Sequence, residues 1–433
     1  MVTMAVTSAL FAKAYELLRA NDSGVFVKPS AGQYPHQWNW DAAFIAVGLR
    51  HADMALARRE VRALLSGQWQ DGLVPHILYH RGASDYFPTP DFWKVEGSPQ
   101  APRVPTSGLT QPPVLATAVR LMHEAATDKA ESLGFVHEVY PKVLAWHRWL
   151  YSARDPEGSG LVAIIHPWES GTDNAARWAE PMARLEPVDV PPYRRRDKVH
   201  VRPDERPVES DYQRFMYLIG LFRDWRWEAR TLYARSPFLI RDTLFNALLH
   251  RANEDLRALA LELGKPVSEL DGWLERARRA FAGLWDEEAG LYYDVDLRAE
   301  GPIRENSCAC FIPLFAGLPD QAQAQRLVGQ LRDPAAYAPG PEGGYYLPSA
   351  AKNSPLFEPR RYWRGPVWIN VNWLLIQGLR RYGYSDLAAT VRAQSLALME
   401  RGFAEYYDPR DGSPCGAAGF SWSAALAMDL LRE

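Results

Sequence analysis

Apolar and polar positions along this chain recur mostly with a helical period. The spacing predicts helices near residues 4–20, 40–51, 54–68, 113–127, 131–152, 210–228, 238–263, 267–283, 303–317, 320–332, 366–382, 385–401 and 420–432. Many pair with a neighbour through a short connection. Strand-like runs are few and short, LVAII at 161–165 and LYYDV at 291–295. Strands and helices do not alternate in order and there is no Gly-rich phosphate loop, which argues against a doubly wound sheet. Three stretches echo one another: DPEGSGLVAII (155–165), DEEAGLYYDV (286–295) and DPRDGSPCG (408–416). Each puts acids and Gly after a long helix. Repeated helix–helix–turn units predict an all-α toroid of six helical hairpins, with functional loops at one end. An open solenoid is the alternative, but no strict repeat period shows.

The expected organisation is one domain over 1–433, with loop insertions near 82–112, 184–209 and 333–361. Irregular segments this long act as lids or binding loops in compact domains. The middle one holds VPPYRRRDKVHVRPDERP, with Arg194, Arg195, Arg196, Lys198 and Arg202. Two readings stay open for it: a solvated, mobile charge run, or a lid that brings a cation to an acidic ligand.

Composition sharpens this picture. The chain has 433 residues, 47% of them hydrophobic, enough for a large core. Its 16 Trp exceed what core packing asks for, because each buried indole N–H needs a partner. Trp-lined clefts suit flat, partly apolar ligands such as sugars. A net charge of −3 argues against a nucleic-acid binder with a dominant basic face. Cys308, Cys310 and Cys415 are too few and too irregular for a disulfide framework or a zinc ribbon, and they indicate a reduced compartment. The N-terminal MVTMAVTSALFAKAYELLRAND lacks a basic leader and carries Lys13 and Glu16 in its apolar stretch, so it reads as an amphipathic helix. No run has the length of a membrane span. The expectation is a cytoplasmic protein without metal or other cofactor, with no nucleic-acid or membrane partner, and compatible with a homo-oligomer. A preference for Arg and Pro-rich loops fits a GC-rich genome and a heat-stable protein.

Candidate chemistry gathers in aromatic clusters. HPWESGTDNAARW (166–178) places Glu169 and Asp173 on a loop before a helix, walled by Trp168 and Trp178. A carboxyl against apolar rings stays protonated near neutrality and can serve as a general acid. Asp173 is the favoured reactive acid and Glu169 a supporting hydrogen-bonding group; both could instead be turn or capping acids. A glycosidase needs a second carboxylate across the sugar. The best candidate is Glu405 in FAEYYDPRDGSPCGAAGFSWSAAL (403–426), read as ending a helix. Asp408 and Asp411 look like turn acids, and Glu400 sits on a solvated helix face. QYPHQWNWDAAFIAVGL (33–49) sets Trp38, Trp40 and Asp41 at a helix start, where Asp41 either caps the helix or contacts vicinal hydroxyls. RRYWRGPVWINVNW (360–373) holds Tyr362, Trp363, Arg364 and Trp368, and TSGLTQPPV (106–114) holds Gln111 before a Pro–Pro helix start. His76 and His80, four apart, read as a structural pair. No GxSxG elbow is present.

In order and combination, PWESGTDN, EYYDPxxG and FSWSAA resemble glycoside hydrolase family 63 and, more distantly, trehalases. The resemblance spans nearly the whole chain, from QWNWD to FSWSAA. With its single short catalytic domain, the chain looks most like the bacterial branch that cleaves mannosylglycerate and glucosylglycerate to a hexose and glycerate. The resemblance implies an (α/α)6 barrel and an inverting mechanism, with Asp173 matching the general acid and Glu405 the general base. It further implies substrate contacts at Tyr34, Trp38, Trp40, Asp41, Gln111, Trp168, Gly171, Tyr362, Trp363 and Trp368. Arg214, in DYQRF (211–215), is implied as the contact to the glycerate carboxylate. The implied ligand is therefore a small acidic α-glycoside. Competing readings are a hydrolase of a neutral disaccharide, a sugar epimerase using His36 and His166, and a non-catalytic sugar-binding protein.

Overall fold

Six inner helices close into a ring, and six others alternate with them along the chain. The computed structural model describes residues 2–80 and 86–432, and side chains from residue 9 onward. The sequence-predicted loop insertion at 82–112 therefore has its residues 82–85 outside the described residues. In chain order the helices of the toroid are α1 (Val2–Ala20), α2 (Asn39–Leu49), α3 (Met54–Leu65), α4 (Leu115–Ala125), α5 (Lys129–Arg154), α6 (Thr243–Glu262), α7 (Ser268–Phe281), α8 (Pro313–Ala316), α9 (Gln321–Leu331), α10 (Ile369–Arg381), α11 (Ser385–Glu400) and α12 (Ser421–Arg432); the segment between α5 and α6 adds the helices Ala179–Ala183, Glu209–Asp224 and Ala229–Arg235, and that between α3 and α4 the single turn Pro90–Trp93. The even-numbered helices form the ring: α2 packs on α4, α4 on α6, α6 on α8, α8 on α10, α10 on α12, and α12 back on α2. This is the (α/α)6 toroid, almost entirely helical and without a closed sheet among the described residues.

Sequence explains which helices lie inside. Every residue of α2 (NWDAAFIAVGL) is buried, as its nearly continuous apolar run demands. In α7, by contrast, Leu270, Trp273, Ala277 and Phe281 line one buried stripe while Glu269, Arg278 and Arg279 stay outside. Small residues set how closely the inner helices approach. A Cβ on Gly48 of α2 would lie 2.2 Å from the Ala425 carbonyl oxygen of α12, and one on Gly378 of α10 would lie 2.7 Å from the Phe315 amide of α8. At the far end of the ring, buried Asp429 of α12 accepts the Trp373 indole N–H (2.7 Å) and meets Arg50 (2.6 Å) and His51 (2.7 Å), tying α10, α12 and the end of α2 together.

Several sequence expectations are corrected. The helix expected over 303–317 is instead a strand end, a 3₁₀ turn at Cys308–Phe311 and the four residues of α8. Pro313 fits only a first helical turn, and Gly317 ends the helix at φ +66°. The helix expected from 238 begins at 243, where Asp242 accepts the amides of Leu244 and Phe245 as its N-cap. LVAII contributes only an isolated bridge, Ile164 to Ile240. Glu405 does not end a helix: α11 stops at Glu400, Gly402 takes φ +133°, and Glu405 lies in the strand Ala404–Tyr407, paired with Pro414–Ala418. Among the described residues no helix is long and apolar enough to cross a membrane.

Because Gly48 has no room for a side chain, Gly48→Ala is expected to lower stability by about 1–3 kcal/mol through overpacking, read as a fall in Tm. An unchanged Tm would show that α2 and α12 separate freely.

Candidate active site

At one end of the toroid a cleft opens where inner helices begin. Trp38, Trp368 and Phe420 each immediately precede an inner helix, α2, α10 and α12, and each lines this cleft. Helix starts leave amides without intrahelical partners. One of them, the Trp40 N–H, donates to Gln111 Oε1 at 3.3 Å, which fixes Gln111 against the cleft floor. Asp41 lies in the first turn of α2, whose N-cap position is Trp38. It lines the cleft, buried, and burial raises its pKa well above the usual carboxylate range, with the Glu405 charge adding to the rise.

The HPWESGTDNAARW segment forms a chain of tight turns. His166 Nδ1 accepts the Trp168 N–H (3.0 Å), and Ser170 Oγ donates to Pro167 O (2.6 Å). Gly171 then takes φ +71° and lies so close to Trp40 that a Cβ would sit 2.6 Å from the ring. Glu169 is fully buried and holds the loop from below: it accepts Arg154 Nη2 (2.8 Å), the Ile165 amide (2.9 Å) and the Thr110 amide (3.3 Å). Trp178, expected as a cleft wall, lies beneath the loop, where its indole N–H donates to Thr172 O at 3.0 Å. Trp168 does line the cleft. Asn174 ties the loop to the neighbouring aromatic segment by accepting the Trp363 amide at 3.0 Å. In that segment Trp363 and Trp368 stack with their rings 3.6 Å apart and 2° from parallel.

Asp173 projects from this loop into the cleft. The residue keeps some surface open to the cleft, but protein surrounds its carboxyl. Burial raises its pKa to about 7; nearby Arg206 opposes the rise and Glu405 adds to it. Near neutrality a large share of Asp173 therefore carries its proton.

Glu405 is held differently. Its Oε1 accepts the Tyr34 hydroxyl (2.7 Å) and Arg206 Nη1 (3.3 Å), and its Oε2 accepts the Ala417 amide (2.9 Å). The hairpin carries a bulge at this point. Ala404 pairs with Ala418 and Tyr406 with Cys415, so the single residue Glu405 faces both Gly416 and Ala417. Gly416 has φ +70°, and a Cβ there would lie 2.6 Å from Glu405 Oε2. Such bulges re-aim a side chain beside a site.

Of the residues singled out in the sequence, Tyr34, Trp38, Trp40, Asp41, Gln111, Trp168, Gly171, Asp173, Tyr362, Trp363, Trp368 and Glu405 all line this cleft. Arg214 does not. It sits a turn into the helix Glu209–Asp224, where Nη1 donates to Ser210 O (3.3 Å) and Nε to Leu185 O (3.5 Å), and the helix turns Tyr212 and Phe215 to the cleft instead. The cation in the cleft wall is Arg206, from the 184–209 segment. Its Nη2 donates to the Tyr34 hydroxyl (2.6 Å) and Nε to Asp197 O (3.2 Å), and its guanidinium lies 4.7 Å from the Tyr362 ring centre. The segment does bring a cation to the cleft wall, but that cation is Arg206 and not one of Arg194, Arg195, Arg196, Lys198 and Arg202, the residues its charge run singles out. Phe420 and Trp422 of the FSWSAA motif also line the cleft, and Trp422 keeps an unpartnered indole N–H, the kind of group a hydroxylated ligand satisfies. Neither His36 nor His166 lines the cleft, and His166 Nε2 already donates to Phe215 O (3.2 Å), which removes the histidine pair an epimerase would use. His76 and His80 are engaged separately, with Ser107 Oγ (2.6 Å) and Gln37 Oε1 (3.0 Å).

A helical toroid with an aromatic cleft that holds one carboxyl of raised pKa and one fixed by three donors is the architecture of a glycoside hydrolase. The chain belongs to the family described as the mannosylglycerate hydrolase MGH1-like glycoside hydrolase domain, whose profile matches residues 34–423. It is similar to a mannosylglycerate hydrolase of Thermus thermophilus, 49% identical over 97% of this chain and 100% of that relative. It is 36% identical to a glucosylglycerate hydrolase of Mycolicibacterium hassiacum, over 98% of this chain and 97% of that one. The crystal structure of a family 63 mannosylglycerate hydrolase from a second strain of Thermus thermophilus, with Tris and D-glycerate, superposes with a TM-score of 0.91 at 48% identity, covering 97% of this chain and 99% of that chain.

A carboxyl whose pKa rises on folding makes the folded chain bind more protons than the unfolded one between 3.8 and about 7. Stability therefore falls as pH rises through that interval. Asp173→Asn is expected to melt at a higher temperature than the parent at pH 8, with the gap closing toward pH 4. A gap that is constant across this range would remove the burial argument.

Proposed function

We propose that this glycoside hydrolase cleaves mannosylglycerate, and glucosylglycerate with it, by single-displacement inversion. The observation that carries the reading is the pair of unlike carboxyls on one cleft: Asp173, its pKa raised to about 7, and Glu405, locked by three donors. Asp173 donates its proton to the glycosidic oxygen as the bond from C1 breaks. Glu405 takes a proton from the water whose oxygen attacks C1 from the opposite face. The products are the β-hexose and glycerate. Inversion needs carboxyls about 6.5–9.5 Å apart so that a water fits between them. The Trp363–Trp368 stack and Trp40 form a wall for the sugar ring, and Asp41 supplies a hydrogen bond to sugar hydroxyls. The acidic substrate of the similar enzymes supports placing the aglycone beside Arg206. The three cysteines are free and buried, which supports a reduced, cytoplasmic setting.

Two measurements test this. Asp173→Asn and Glu405→Gln are each expected to lower kcat on mannosylglycerate by about 10³-fold, and proton NMR of the first hexose released by the parent should show the β-anomer. Retained configuration would rule out inversion, and undiminished turnover in either variant would remove that residue from the mechanism. Arg206→Ala should lose about 10- to 100-fold more kcat/KM on mannosylglycerate than on its neutral amide, mannosylglyceramide, because only the acid offers a charge-assisted contact. Arg214→Ala should leave both unchanged. Equal losses on the two substrates in Arg206→Ala would place the carboxylate elsewhere.

A further inference from the structure

The 184–209 segment does more than border the cleft. Its short 3₁₀ turn, Pro203–Glu205, ends on Glu205, which is 3% exposed although it belongs to a charge-rich stretch. A buried carboxylate in such a run needs a reason, since burial without partners is costly. Apart from Arg202 of its own segment, whose Nε lies 3.9 Å from Oε1, its side-chain partners are on or beside the hairpin that carries Glu405. Glu205 Oε2 accepts the Gly416 amide at 2.9 Å, Oε1 accepts Arg360 Nη2 at 2.5 Å, and the Glu205 carbonyl accepts the Tyr406 hydroxyl at 2.7 Å. Arg360 in turn approaches Asp408, just past the strand, at 3.6 Å.

The bulge makes these contacts consequential. Two residues, Gly416 and Ala417, face one, so their amides leave the regular ladder and need other acceptors. Ala417 gives its N–H to Glu405 Oε2 and Gly416 gives its N–H to Glu205 Oε2. Adjacent amides of one bulge are thus divided between the functional carboxylate and a second carboxylate behind it. The next residue, Arg206, reaches Glu405 Oε1 directly and through the Tyr34 hydroxyl. Glu205 and Arg206 hold Glu405 by different routes, one through the backbone of the bulge and one through the carboxylate itself.

We propose that Glu205 is a positioning residue for the base: by accepting the Gly416 N–H it keeps the bulge in the shape that aims the Glu405 carboxylate at the attacking water. The inference rests on the reading of Glu405 as general base. Small displacements of such a group lower the rate without weakening substrate binding.

The test compares Glu205→Ala, Glu205→Gln and Glu405→Gln on mannosylglycerate and on α-mannosyl fluoride. The fluoride leaves without protonation, so it still needs the base but not the acid. Glu205→Ala is expected to lose about 100-fold in kcat on both substrates with KM within about threefold of the parent. Glu205→Gln keeps an acceptor for the Gly416 amide, and its kcat should stay within about fivefold of the parent. Parental kcat in Glu205→Ala, a loss confined to KM, or a Gln variant as impaired as the Ala variant would each overturn the proposal. Should Glu205→Ala fail to fold by circular dichroism, Glu205→Asp takes its place: it keeps the charge opposite Arg360 but withdraws from the Gly416 amide. Reduced kcat at parental KM then supports the proposal, and unchanged kcat overturns it. An active Glu405→Gln would overturn the base assignment itself, whereas an inactive Glu405→Gln beside a fully active Glu205→Ala would overturn only the role of Glu205.

Discussion

Closure of the ring between α12 and α2 is the constraint on which the site depends. The inner helix nearest the N-terminus must lie against the last helix of the chain, and the absence of a side chain at Gly48 lets the backbones come together. That contact brings Tyr34 to Glu405 across 371 residues of sequence, with a 2.7 Å hydrogen bond between them. It also sets Trp40 edge-on to Trp422, ring centres 5.3 Å apart, so residues from both ends of the chain share one wall. Gln111 ahead of α4 and Trp368 ahead of α10 reach the same cleft.

Within that frame the two principal carboxyls are treated in opposite ways. Asp173 is surrounded by protein and aromatic rings, and desolvation favours its protonated form. Glu405 is gripped by three hydrogen-bond donors, an amide, a hydroxyl and a guanidinium. The difference arises from backbone geometry more than from residue type. A left-handed glycine beside Asp173 packs the loop against Trp40, and a left-handed glycine beside Glu405 builds the bulge that offers it an amide. Holding a carboxyl away from water costs stability at neutral pH, a cost commonly found where a site must keep a proton in readiness.

Much of this was legible in the chain itself. Helical periodicity located most of the twelve helices, and the Trp-, Gly- and Pro-rich clusters pointed to residues that do meet in one cleft. The misses share a cause. The 303–317 segment has helical periodicity, but Pro313 and Gly317 admit only one turn. Glu405 follows a helix in sequence, but Gly402 turns the chain into a strand first. Arg214 has the right chemistry for an acidic aglycone but sits on the side of its helix away from the cleft, while Arg206 is buried by an irregular segment whose path no period encodes.

The sequence by itself determined the helical class of the fold and the family to which the chain belongs, and it picked out Asp173 and Glu405 as candidates, because these rest on local periodicity and on residue types in short motifs. Which arginine enters the cleft, which acids are buried as structural partners, and how Glu205 comes to share a bulge with Glu405 were decided only by tertiary structure. These relations join residues as far apart as 211 positions, from Glu205 to Gly416. Their energetics come from burial and hydrogen-bond geometry that exist only once the ring has closed.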